Sequence, residues 1–173
     1  MRELDTALTE LSRVSNLSGN ELTRFADRAF EAGKAIGRTG KEVVEATSEF
    51  RRAGFEMEQA FDLAQNALIL TNIGDGINDV REASSSLIAI LKGFKKEASD
   101  TTHIVDALNE VSNTYALNVS NLTEIMKRTS GTIAQTGTSF EELIGLATAG
   151  FESLRNAEMV ASGKFCPYVQ KCA

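Results

Sequence analysis

Apolar and small residues recur along the chain at intervals of three and four, the spacing that lines one face of an α-helix. Over residues 19 to 36 the stripe is Leu22, Phe25, Ala26, Ala29, Phe30, Gly33 and Ile36. It returns in Val43, Ala46, Phe50 and Ala53, then in Met57, Ala60, Phe61, Ala64 and Leu68. Further stripes are Ile77, Val80, Leu87, Ile88, Leu91 and Phe94; Ile104, Ala107, Leu108 and Val111; Leu122, Ile125, Met126 and Ile133; and Phe140, Leu143, Ile144 and Ala147. No stretch alternates with period two for long enough to compete. The pattern predicts an all-α chain, a bundle of about seven or eight short antiparallel amphipathic helices.

The breaks between stripes carry the chemistry of helix ends. Ser18 with Glu21, Thr39 with Glu42 and Ser139 with Glu142 each fit a capping box, in which the hydroxyl accepts from the N3 amide and the glutamate reaches back. Asp75 or Asp100 is expected to cap the helices near 77 and 101, and Ser120 the one near 121. Gly37 or Gly40, Gly54, Gly74, Gly137 and Gly163 are the expected stops, because glycine takes the left-handed conformation after a helix at no steric cost. Connections of about two to six residues follow, and short links favour antiparallel neighbours.

Three segments are legible. Residues 1 to 16 hold Leu4, Ala7 or Leu8, Leu11 and Val14 at heptad-like spacing, so they form an N-terminal helix or the end of a coiled coil. Residues 17 to 163 form the helical body. Residues 164 to 173 contain the single Pro and both cysteines, Cys166 and Cys172, and read as an appended tail. Small residues on the apolar faces, such as Ala26, Ala29 and Gly33 or Ala60 and Ala64, allow close helix approach but limit core volume. Such a body is expected to finish its burial by self-association through the N-terminal seam.

Composition narrows the chemistry. A chain of 173 residues with a formal charge of −6 lacks the basic face that phosphate neutralisation needs, so no nucleic-acid binding is expected. One His and two Cys are too few for a Cys/His zinc site, and Cys166 and Cys172 have neither redox-motif nor zinc spacing. The longest apolar run, Leu87 to Leu91, falls far short of a membrane span, and the N-terminus shows no secretory signal, which points to a cytosolic origin. His103 lies beside Asp100 and Asp106, but no nucleophile or metal cluster accompanies it. The run from Asn72 to Asp79 lacks the alternating acids and closing glutamate of a calcium loop and the Gly-Lys-Ser/Thr of a phosphate loop, so it reads as a turn. Arg51 and Arg52, Lys92, Lys95 and Lys96, and Lys127 and Arg128 read as solvated helix surface. Adjacent Glu141 and Glu142 point about 100° apart on a helix, which spoils them as a hydrolytic pair. Met57, Met126 and Met159 supply adaptable contacts. No catalytic, cofactor or metal residue is assigned.

The order of the segments carries a resemblance. Leu17 to Leu22 opens one helix, Arg38 to Val44 the next, and Phe50-Arg51-Arg52-Ala53-Gly54 closes it. Then come Ala83 to Leu87 with Leu91 to Phe94, Asp106 to Leu108 with Val111 to Asn113, and Gly137-Thr138-Ser139-Phe140-Glu141-Glu142-Leu143 followed by Gly150. From Leu17 to about Gly163 the chain resembles the core region of phage tail tape measure proteins, the minor tail proteins that set tail length. The resemblance implies a non-enzymatic component of the virion tail, made in the bacterial cytoplasm, with further copies, tail tube subunits and tail assembly chaperones as partners. In such proteins helical length acts as the ruler. As one helix 173 residues span at most about 260 Å, whereas short capped helices fold back, so this piece is expected to be a module on the ruler. The family continues on both sides of a segment like this one and differs after Gly163, so a recombinant fragment or a truncated prophage gene is expected. The competing reading is a bacterial helical interaction module, an adaptor or effector helper; a hydrolase built on His103 is the third.

Overall fold

The computed structural model describes residues 2–163, and Cys166 and Cys172 lie outside them. Among the described residues the fold is nine α-helices without a strand: α1 (Arg2–Val14), α2 (Gly19–Ala35), α3 (Gly40–Arg52), α4 (Met57–Ile73), α5 (Val80–Gly93), α6 (Thr101–Thr114), α7 (Val119–Ile133), α8 (Phe140–Leu154) and α9 (Ala157–Ala161). Short 3-10 turns, Ala98–Asp100 and Ala134–Thr136, precede α6 and follow α7. The described residues divide into two compact units, one of residues 2–73 and 78–88 and the other of residues 74–77 and 89–163, and α5 contributes to both.

In the first unit α3 packs against α1, α2 and α4. The apolar stripe of α1 is used here: Ala7 and Leu11 are buried, so self-association through those side chains requires α1 to leave α3. The α4 helix buries Leu63, Ala67, Leu70 and Thr71 as well as the expected Ala60, Phe61, Ala64 and Leu68, so about half of its circumference is covered while Glu58, Gln59 and Asp62 stay exposed. Phe25 meets Phe61 edge to face with ring centroids 5.6 Å apart. Phe30, read from the stripe as a core residue, is instead 57% exposed, because α2 turns its Phe25–Ala29–Gly33 edge inward.

That edge brings backbone against backbone. A Cβ on Gly33 would lie 2.8 Å from the Arg38 carbonyl oxygen, and one on Gly40 would lie 3.0 Å from the Cα of Phe30. The end of α2 and the start of α3 therefore touch without intervening side chains. Gly54, at φ +91°, closes α3 in the same economical way: its amide donates to the Arg51 carbonyl and the Phe55 amide to that of Phe50. The Phe55 ring then stands edge to face on Phe50, the apolar contact that accompanies such a stop.

In the second unit α7 packs against α6, α8 and α9. Gly93 at the end of α5 faces Ser130 of α7 so closely that a Cβ would lie 2.7 Å from the Ser130 hydroxyl, which donates to the Ala89 carbonyl at 3.1 Å. Phe94 meets Phe140 edge to face at 5.9 Å. The core is completed by Ile104, Leu108, Leu122, Ile125, Met126, Leu143 and Phe151.

Two of the expected capping boxes form. Thr39 Oγ1 accepts the Glu42 amide at 3.2 Å while Glu42 accepts the Thr39 amide at 2.8 Å, and Ser139 with Glu142 repeats the arrangement at 3.1 and 2.8 Å. The third does not. Gly19 enters α2 at φ +51°, and the Glu21 amide is taken by the Ser18 carbonyl, leaving the Ser18 side chain without a capping bond. Asn118, not Ser120, caps α7, accepting the Asn121 amide at 2.8 Å. The Ser120 amide donates to the Asp75 carbonyl instead, and Asp79 accepts the Arg81 amide at the start of α5. Asp100 occupies the cap position of α6 but its carboxylate turns back to the Glu97 amide. Gly40 begins a helix, and the left-handed residue after α4 is Gly76 rather than Gly74.

Buried hydroxyls bond back to carbonyls of the preceding helical turn, Thr47 to Val43, Ser48 to Val44 and Thr148 to Ile144. Ser130 bonds across to α5 instead, and the Oγ of Ser84 in α5 is buried without a partner. Partial burial pushes the Glu42 carboxyl up, but bonds from the Thr39 amide and hydroxyl and from Arg38 outweigh it and hold the group below the usual carboxylate range.

Chemical denaturation should separate Thr39→Ala from Ser18→Ala: the first loses a formed cap and about 1 kcal/mol, the second leaves stability within experimental scatter. Equal losses would contradict the cap assignment. Ser84→Ala should raise stability by up to ~1 kcal/mol, because it removes a buried orphan hydroxyl and adds helix propensity; a loss would show that Ser84 has a partner. Because its carboxyl is held low in the folded state, Glu42 contributes stability that is present above the ordinary carboxylate pKa of about 4.3 and is lost as pH falls through the folded value. Glu42→Gln, which can still close the box, should therefore cost about 0.5 kcal/mol at neutral pH, with the gap from the parent closing below about pH 4. A gap independent of pH would refute the electrostatic part.

Candidate functional site

The lone histidine sits on the first turn of α6. Its Nε2 lies 3.3 Å from Oε1 of Glu141 at the start of α8, and Lys96 Nζ lies 3.8 Å from the same oxygen. The imidazole stands edge-on to Phe140 with centroids 6.4 Å apart. The carboxylates that chain spacing offered, Asp100 and Asp106, are not its partners: Asp100 is held by the Glu97 amide. Glu141 comes from 38 residues away, a proximity no local pattern reveals. Its carboxyl is held below the usual range chiefly by its own backbone amide at the helix start; burial opposes this, and His103, Lys96 and Ser139 assist. His103 and Glu141 are both more than half exposed, and the Ser139 hydroxyl beside them accepts the Glu142 amide. The arrangement is a solvated ion cluster at a helix junction. Glu142 serves the cap and Glu141 the cluster, so the two neighbouring carboxylates do separate work.

The residues from Asn72 to Asp79 also have local employment. Asn72 donates from Nδ2 to the Ile36 carbonyl at 2.8 Å and accepts from Arg38 Nε at 2.6 Å, clamping the turn between α2 and α3. Gly76, at φ +86°, lies against Ser120. Among the described residues no group of three or more His, Cys, Asp or Glu is placed to hold a metal ion.

Much of the basic surface is engaged. Arg28 forms a two-pronged pair with Glu58 at 2.9 and 2.7 Å and lies 4.6 Å above the Phe61 ring, which raises the Arg28 pKa and lowers that of Glu58 through their mutual bonds. Arg51 donates to the Phe55 carbonyl at 2.6 Å, Arg52 bridges Glu49 and Glu10, and Arg128 bridges Glu124 and Glu158. These pairs tie α2 to α4, α1 to α3 and α7 to α9. Exposed pairs of this kind are each worth at most about 1 kcal/mol, so they orient helices more than they stabilise them.

A feature that sequence reading missed is an open groove of about 450 Å³ between α1 and α2, floored by Leu8, Leu22 and Ala26 and edged by Asp5, Thr9, Ser12 and Thr23. It exists because the two helices touch little, each being packed on α3, and residue spacing carries no signal of such a gap. Among the described residues Phe30, Ile73, Tyr115, Leu146 and Met159 are the exposed large apolar side chains. Among the described residues no helix is long and apolar enough to cross a membrane.

The family profile of phage-related minor tail proteins matches residues 26–163. The tape measure protein of Pneumococcus phage Dp-1 is 23% identical over 140 residues, covering 81% of this chain and 12% of that protein. The probable tape measure protein of Halomonas phage phiHAP-1 is 22% identical over 160 residues, covering 92% of this chain and 17% of its own length. The chain thus spans less than a fifth of either relative. No solved structure matches. The match runs from within α2 to the end of α9, and on that evidence the chain belongs to the phage-related minor tail protein family.

Proposed function

We propose that the chain is a folded, non-enzymatic core module of a tape-measure-type tail protein, acting in the virion tail after assembly in the host cytoplasm. The observation that carries this reading is the family match across residues 26–163, which takes in most of both compact units. It favours a tail component over a bacterial adaptor. The side-chain chemistry is consistent with a structural role: His103 and Glu141 are solvated, and the capping carboxylates and bridging guanidinium groups are spent on helix ends and helix pairs. The partners this reading calls for are further copies of the chain, tail tube subunits and tail assembly chaperones.

The fold bears on how such a module relates to length. Drawn out as one helix, the matched segment would measure roughly 210 Å at about 1.5 Å per residue. Its helices instead reverse into compact units, so we infer that it contributes a body of fixed size and that length is metered elsewhere in the full protein.

In a phage encoding this segment, in-frame removal of residues 26–163 should abolish tails, or shorten them by far less than about 210 Å in electron micrographs. Shortening by the full amount would make the segment part of the ruler, and normal infectious tails would remove it from tail assembly altogether. Light scattering on the purified chain should show a mass that rises with concentration; a constant monomer mass would take self-association out of the proposal.

A further inference from the structure

We draw no further inference here: the strongest candidate, the open groove between α1 and α2 floored by Leu8, Leu22 and Ala26, is an unpartnered apolar face, and nothing in the structure shows what covers it.

Discussion

The close approach of α2 and α3 at Gly33 and Gly40 is the constraint on which the first unit depends. Side chains of ordinary size hold helix axes 8 to 10 Å apart, whereas here the last turn of one helix rests on the first residues of the next. The Arg38 amide donates to the Gly33 carbonyl at 2.7 Å, so the residue that makes the contact also ends its helix. Arg38 then reaches Asn72 and Glu42, and Asn72 holds the Ile36 carbonyl. One missing Cβ thereby lets three helices share a single junction. The alanines of α4 extend the principle, since Ala60, Ala64 and Ala67 share one face and are all fully buried, which lets neighbouring chain approach closely there.

This economy bears on function. Small residues stand where helices meet most closely, large ones such as Phe50, Leu63, Leu87 and Phe140 fill the rest of the core, and polar side chains close the helix ends. Glu42, Glu142, Asn118 and Asn156 each accept or exchange bonds with free amides, as physics demands of helices this short. The hydroxyls of Thr47, Ser48 and Thr148 turn to carbonyls of their own helices. The surface carries bridged charges and exposed apolar side chains as well as the groove between α1 and α2, and it is the family match that argues for a structural tail component.

Much of the fold was legible from residue spacing, because helical periodicity and end chemistry are local. The boxes at Thr39 and Ser139 and the stops at Gly37 and Gly54 stand where the pattern put them. Ser18 failed as a cap because the backbone of Gly19 decided which atom met the Glu21 amide, and hydroxyl spacing says nothing of that. Phe30 was misplaced because the inward direction of α2 is set by Gly33, the smallest residue of the stripe, against the larger ring beside it. The partnership of His103 with Glu141 and the groove between α1 and α2 are products of tertiary packing, and no reading along the chain contains them.

Backbone contact at Gly33 holds these helices together. The same substitution made at two glycines inside helices, with unfolding free energies measured for both, puts this to the test. Gly145, in α8, has open space around it, so Gly145→Ala should stabilise by up to ~1 kcal/mol through helix propensity. Gly33→Ala gains the same propensity but drives a methyl group into the Arg38 and Thr39 backbone, and should destabilise by about 2 kcal/mol. Stabilisation by both substitutions would show that α2 and α3 do not meet through their backbones.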